Sequence, residues 1–453
     1  MQEHFSEIQY EQMIDALFHR FPSFQKVGAG AYKPGIGNME FIDQLLGHPH
    51  RNYKIIHVAG TNGKGSVSNM LTSVLSALGY KVGLYTSPHI LDFRERIRIC
   101  HEGTVTLISK QDVWNFIYQW QDTFDHIDMS FFEITTAMAL NWFADQKVDY
   151  VVLETGLGGR LDSTNIVNPV LSVITNIGLD HCDLLGETLP EIAFEKAGII
   201  KPRVPVVVGE SDSEINEVFE RKVLYTNLSE PVFMGNRTAI MSLLTFADKV
   251  EPSLWSEYEQ MLAEMDLRGD YQRKNLRTVL AALDVLGEKC VREAIVNTAK
   301  RTGFSGRWDQ VSENPRVICD IGHNEHGLKY NFAQLANMKE SGDVSDLIIV
   351  YGSVADKDVD AAVSLFPENA ILVFTNAQGK RALPAEEVLE KYQAFCSKVG
   401  RPVGEVCCVP TVAQAKEKAY SIASAISAEN SEASILIYVG GSTYVVSEFV
   451  FLM

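Results

Sequence analysis

The chain lacks most of what marks a secreted, membrane-spanning or nucleic-acid-binding protein. Its 453 residues hold seven cysteines (Cys100, Cys182, Cys290, Cys319, Cys396, Cys407 and Cys408), scattered, odd in number and without a CxxC pair. That excludes a disulfide framework and a structural zinc site of the usual spacing. No apolar run is long enough to cross a bilayer. Residues 1–21 carry Glu3, Glu7, Glu11 and Asp15 among their apolar positions, so they read as neither a secretory signal nor an arginine-rich transit peptide, and the expected location is cytoplasmic. Positive charge is scarce as well: 40 Lys and Arg against 58 Asp and Glu leave a net charge of −18. A nucleic-acid partner is not expected, because backbone phosphates require a concentrated basic face. Repeats, heptad arrays and low-complexity tracts are absent too, and nothing visible demands a dimer, so a monomer is expected.

What is present is an ordinary globular composition, 46% hydrophobic and 22% charged, in a chain longer than one hydrophobic core usually supports. Two domains follow. Strand-like runs at 53–58, 80–85, 149–153, 170–175 and 204–208 alternate with helix-like runs, the pattern of a parallel sheet covered by helices. A small, polar stretch at 301–307 suits a linker. Beyond it come further strand-like runs at 317–320, 347–351, 371–375, 405–409 and 434–439. The expected fold is α/β: a P-loop-containing parallel-sheet ATPase domain over 1–302, followed by a smaller Rossmann-like α/β domain over 303–453. The acidic stretch 251–270 reads as a solvated helix.

Between the first strand and a helix pattern lies Gly60-Thr61-Asn62-Gly63-Lys64-Gly65-Ser66. Glycines let successive backbone N–H groups face one anion, a helix start adds partial positive charge, and Lys64 can reach outer phosphates. Ser66 is placed to ligate magnesium. The spacing departs from GxxxxGK[ST]: the first glycine stands three residues before Gly63, and Gly65 is inserted before the hydroxyl. Ligands of such sheets bind beyond the carboxyl ends of the strands, which singles out Ser87, Glu154 and His181. Glu154 occupies a magnesium position. Asp162 and Asn165 can either cap the next turn or face a substrate. His181 alone reads as a structural hydrogen-bonding residue, and Lys196 as an amphipathic lysine reaching solvent. Gly28-Ala29-Gly30 and Gly156-Leu157-Gly158 mimic a dinucleotide fingerprint, but neither completes GxGxxG.

Taken in order, HVAGTNGKGS (57–66), TSPHILDFRERI (86–97), FFEITTAMA (131–139), LETGLGGRLDSTN (153–165), TNIGLDHCDLLG (175–186), IAFEKAGIIK (192–201), LRGDYQRKN (267–275), SGRWD (305–309), DIGHNEHG (320–327) and GGSTY (440–444) resemble the folylpolyglutamate synthase and dihydrofolate synthase family of Mur ligases over nearly the whole chain. The resemblance implies that ATP is bound by Gly60, Thr61, Asn62, Gly63, Lys64, Gly65 and Ser66, with Asn275 near the adenine. Arg307 and Asp320 would serve the nucleotide from the second domain. It also implies two magnesium ions, one on Ser66 or Ser87 with Glu154, the other on Glu154 and His181. Lys196 is implied to be carbamylated, an anionic magnesium-binding group. His323 and Ser442 would lie close to L-glutamate, and Phe132 and Asp162 would contact the pterin. The implied catalytic residues are Lys64, Lys196, His181 and His323.

The implied reaction joins L-glutamate to dihydropteroate or a folate through an acyl phosphate made from ATP. Glu325 stands where the family often has proline. The alternatives are a muramyl-type ligase, disfavoured because the loop begins at residue 60 with no room for a nucleotide-sugar domain, and a P-loop switch, disfavoured because no NKxD motif is present.

Overall fold

The computed structural model describes residues 5–21, 30, 33–255 and 257–453. It separates into two compact units, one of Met1–Asp266 with Gln272–Phe304, the other of Leu267–Tyr271 with Ser305–Met453. Gly28 and Ala29, and part of the glycine-containing stretch around them, lie outside the described residues; Gly37–Leu45 that follows is a helix.

The first unit is built on eight strands: β1 (Lys54–Ala59), β2 (Val82–Tyr85), β3 (Ile97–His101), β4 (Thr104–Leu107), β5 (Tyr150–Glu154), β6 (Leu171–Ile174), β7 (Val206–Val208) and β8 (Leu244–Phe246). Their order is β4-β3-β2-β5-β1-β6-β7-β8. All neighbours are parallel except β2 with β3 and β3 with β4. Strands β2, β5, β6 and β7 are buried throughout, as strands covered on both faces must be, and this is why they read as unbroken apolar runs. β1 is central, with β5 on one side and β6 on the other.

The helix Lys64–Ala77 that follows β1 is buried from Gly65 to Ser76. It packs between the sheet and the helices Gln272–Leu286, Arg292–Val296 and Thr298–Thr302. Its small polar residues permit that approach: Ser73 Oγ donates to the Ala294 carbonyl at 2.7 Å. A helix enclosed on every side cannot be amphipathic, and this one is rich in Ser, Val, Leu and Met rather than striped.

The second unit carries β9 (Asp309–Glu313), β10 (Arg316–Cys319), β11 (Asp346–Tyr351), β12 (Ile371–Phe374), β13 (Val406–Cys408) and β14 (Ile435–Gly440). They are ordered β13-β12-β11-β14-β10-β9, and only β9 runs antiparallel to its neighbour. Aromatic rings fill one side of this sheet: Phe366 meets Tyr351, Phe374 and Tyr392 at centroid distances of 5.1, 5.7 and 5.8 Å.

Two sequence expectations need correction. The stretch 251–270 is not one helix: only Tyr258–Glu264 is α-helical, after a 3-10 turn at Pro252–Leu254. Leu267–Tyr271 belongs to the second unit, where the Tyr271 hydroxyl donates to Asp320 Oδ2 at 2.7 Å. The outer strands β4, β8 and β9, and β3 beside β4, also escaped the sequence reading. β3 and β4 form a hairpin turning on Glu102-Gly103, both with positive φ (48° and 80°), a two-residue turn of the kind that matches strand twist.

Candidate active site

The glycine loop is shaped by what crowds it. Gly60 leaves β1 at φ 150°, and a Cβ there would stand 1.8 Å from Thr175 Oγ1. The two loop starts are joined by hydrogen bonds: Thr175 N–H to the Ala59 carbonyl at 2.9 Å and Thr61 N–H to the Asn176 carbonyl at 3.0 Å. Asn62 N–H donates to Asn176 Oδ1 at 2.9 Å, and Thr61 Oγ1 accepts from Gly178 N–H at 3.0 Å. The amides of Thr61 and Asn62 are thus both engaged by Asn176. The first helical bond is Val67 N–H to the Gly63 carbonyl, so the amides of residues 63–66 have no partner within the helix. Gly63 (φ 80°) permits the close approach of Asn275, whose Oδ1 would lie 2.3 Å from a Cβ.

The inserted Gly65 has a packing reason. A Cβ there would meet the Phe304 ring at 3.2 Å and Glu154 Oε2 at 3.7 Å. Omitting the side chain makes room for the Phe304 ring, with the carboxylate ending β5 in ordinary contact beside it. Glu154 is 2% exposed and pairs with Val58 across the sheet; Ser66, the residue after Gly65, is buried too and accepts from Gln272 Nε2 at 3.1 Å. Ser87, half-buried, follows β2, the strand beside β5.

Two lysines converge on one carbonyl. Lys64 Nζ donates to Gly60 O at 2.9 Å and to Thr61 O at 3.1 Å, and Lys196 Nζ donates to the same Gly60 O at 2.9 Å. Lys196 ends the helix Leu189–Lys196 and is 4% exposed, which overturns its reading as a lysine reaching solvent. Burial, and then the neighbouring Lys64 charge, bring its pKa down to about 7, against a smaller upward pull from Asp180 and Asp162. The glycines around it allow this enclosure: a Cβ on Gly159 would stand 2.8 Å from the Lys196 carbonyl, and one on Gly198 would stand 2.2 Å from Arg160 Cα.

His181 has a left-handed backbone (φ 53°) and precedes the short helix Cys182–Leu185; its Nε2 lies 3.8 Å from Asp180 Oδ2. Phe132 and Asp162 meet the same loop. A Cβ on Gly156 would collide with the Phe132 ring at 2.5 Å. Asp162, 3% exposed, caps the 3-10 turn Ser163–Ile166 and accepts from Thr164 N–H at 3.0 Å and Leu157 N–H at 2.8 Å. Of the two roles open to it in sequence, capping is the one displayed.

In the second unit, Asp320 and His323 follow β10, and Ser442 follows the adjacent β14. Asp320 is a buried hub. Its Oδ2 accepts from Trp308 N–H at 2.8 Å and the Tyr271 hydroxyl, and its Oδ1 from Gly322 N–H at 2.7 Å and Asn331 Nδ2 at 2.8 Å. It thereby fixes the turn that carries Arg307. His323 Nδ1 lies 3.0 Å from the Ile321 carbonyl, and Ser442 caps the helix Thr443–Phe451. Glu325 is exposed on the first turn of Glu325–Glu340, where an acidic side chain complements the helix dipole.

The sequence reading missed Asn176, Gln272 and Glu210. Asn176 Nδ2 donates to Glu210 Oε1 at 3.1 Å, and Glu210 pairs with Lys274 at 2.5 Å. Asn176 had one available signal, its place on the segment just past β6, after Thr175.

The donor set suits magnesium. Ser66 and Glu154 offer hard oxygen atoms, and among the described residues no group of three or more His, Cys, Asp or Glu closes a metal cage. Magnesium is held by few protein oxygens and completes its shell with phosphate oxygens and water.

Removing the glycine at position 60 is expected to be severe. A loop shift of about 1 Å lowers turnover about 100-fold, so Gly60→Ala should lose at least that in kcat/KM. Adding Thr175→Ala, which removes the colliding hydroxyl, should restore part of it; steady-state kinetics on the single and double variants would show this.

Residues 58–283 match the Mur ligase middle domain and residues 306–430 the Mur ligase, glutamate ligase domain. A dihydrofolate synthase/folylpolyglutamate synthase of Bacillus subtilis (strain 168) is 36% identical over 342 residues, 72% of this chain and 76% of the relative. Among solved structures, Mycobacterium tuberculosis folylpolyglutamate synthase complexed with ADP and AMPPCP superposes with a TM-score of 0.79 at 25% identity, covering 99% of both chains. The bifunctional folylpolyglutamate synthase/dihydrofolate synthase of Yersinia pestis, complexed with AMPPNP and a Mn ion, gives 0.76 at 26% identity, covering 98% of this chain and 97% of its own. The chain belongs to the folylpolyglutamate synthase and dihydrofolate synthase family of Mur ligases.

Proposed function

We propose that this protein is an ATP-dependent ligase that joins L-glutamate to dihydropteroate, to a folate already carrying glutamate, or to both. The observation that carries the reading is the loop 60–66, closed against Thr175 and Asn176 with two lysine side-chain nitrogens at one carbonyl. The Lys64 ammonium, held on loop carbonyls, turns to the outer phosphates when nucleotide enters and offsets the charge that builds as a carboxylate attacks phosphorus. The γ-phosphoryl group passes to the substrate carboxylate, ADP leaves, and the glutamate amine then displaces phosphate from the acyl phosphate to give an amide. Ser66, Glu154 and Ser87 would hold magnesium, which supplies further charge neutralisation when bound.

Lys196 supports a carbamate. An amine with a pKa of about 7 is uncharged in about half of the molecules at neutral pH, and that uncharged form can attack carbon dioxide, forming an N–C bond and releasing a proton. The product is an anion beside Lys64, and with Glu154 and His181 it would complete a second magnesium site. Phe132 and Asp162 are assigned to the pterin, Asn275, Arg307 and Asp320 to the nucleotide, and His323 and Ser442 to glutamate. A cytoplasmic monomer acting on small molecules fits this chemistry.

The test is to incubate purified protein with ATP, magnesium and L-glutamate, with dihydropteroate or a reduced folate, and to weigh the product. A mass gain of one glutamyl residue is expected. Phosphate release that ignores both pterin substrates would refute the assignment.

A further inference from the structure

His57 sits in the middle of β1, fully buried, and the reaction as derived above gives it no task. Its Nε2 lies 2.8 Å from Thr164 Oγ1, and Thr164 Oγ1 lies 2.5 Å from Asp162 Oδ1. The other oxygen of Asp162 accepts the Leu157 N–H. A buried chain therefore runs from the central strand to the loop 156–165, on which the Phe132 ring also rests.

The proton positions follow from the partners. Asp162 Oδ1 also takes the Thr164 N–H, so it acts as an acceptor, and the Thr164 hydroxyl donates to it. Thr164 Oγ1 must then accept from His57, which fixes the neutral tautomer with its hydrogen on Nε2. His57 Nδ1, buried and without a hydrogen-bond partner among the described residues, is the unprotonated nitrogen. Burial first, and then the charge of Lys201, whose ammonium sits on the Asn165 carbonyl at 3.0 Å, hold the imidazole neutral, with its pKa near 3.

We propose that His57 is a positioning residue for the pterin-bearing substrate: through the Thr164 hydroxyl it orients the Asp162 carboxylate, which sets the shape of the loop that faces that substrate. The task is separate from phosphate binding, although His57 lies only three residues before Gly60. The proposal rests on the pterin assignment of the loop made above.

The experiment is steady-state kinetics on the full chain with each substrate varied in turn. Thr164→Val is nearly isosteric and breaks the chain. It should raise KM for the pterin substrate at least tenfold, while KM for ATP stays within twofold. His57→Leu should do the same, and the double variant should be no more than twofold worse than either single one. Thr164→Ser and His57→Gln, which keep the hydroxyl and the donor, should stay within threefold of the parent. Equal rises in both KM values, unchanged kinetics in Thr164→Val, or a Thr164→Ser variant as poor as Thr164→Val would overturn the proposal. A parent protein without pterin-dependent phosphate release would instead defeat the functional assignment, so the two failures are distinguishable. If His57→Leu does not fold, the two Thr164 variants decide the matter.

Discussion

Replacing Lys64 by alanine is expected to lower kcat by at least about 1,000-fold while leaving the fold intact. Losing one preorganised charge contact to a transition state in a dry site costs on the order of 100- to 1,000-fold, and here that contact meets the charge of two anions forced together. The fold should survive because the ammonium is only half-buried and bonds to two loop carbonyls, Gly60 and Thr61, one of which Lys196 also holds. Lys64→Ala also removes the neighbouring charge that helps depress the Lys196 pKa. Thermal unfolding and single-turnover phosphate release, measured together, separate the two effects. Activity within tenfold of the parent would remove Lys64 from the phosphate role.

The second large effect is expected at Lys196. Lys196→Ala should reduce turnover by at least about 100-fold, and a small carboxylic acid added to the buffer should restore part of it by supplying the missing anion. The pH dependence has a definite sign. The folded-state pKa is lowered to about 7 from 10.5, so from pH 10.5 down to about 7 the unfolded chain binds a proton that the native site refuses. In the unmodified protein this native-state penalty is complete below about pH 7 and is relieved as pH rises toward 10.5. Lys196→Met should flatten that dependence in thermal unfolding. The amine reacts with carbon dioxide only when uncharged, so activity in carbon dioxide-depleted buffer should fall and return with bicarbonate, less completely below pH 7. Unchanged turnover in Lys196→Ala would mean that its burial is structural.

The parallel strands were legible because burial on both faces leaves continuous apolar runs, as at β1, β5 and β11. The edge strands β4 and β8 were not: they are short, and their side chains alternate or remain half-exposed, so periodicity carries little signal. The residue chemistry at strand ends could be located, since Glu154 ends β5 and His181 lies on the segment that follows β6, but what surrounds each side chain could not. Lys196 looked like any helical lysine because its enclosure comes from Gly60, Gly159 and Gly198, distant in sequence from one another. The irregular Gly65 became intelligible only with Phe304 and Glu154 placed against it. Asp320 reads in sequence as a nucleotide contact, yet it holds four donors drawn from Tyr271, Trp308, Gly322 and Asn331, a hub that no local pattern announces.

The central claim is that the loop 60–66 presents a γ-phosphate to a substrate carboxylate. Its most direct test is to label the reacting carboxylate of the pterin substrate with oxygen-18 and to weigh the inorganic phosphate released during ligation. The acyl-phosphate route predicts one labelled oxygen in each phosphate formed, because the bond broken by the glutamate amine lies between the carbonyl carbon and that oxygen. Phosphate free of label, released at the rate of amide formation, would contradict it.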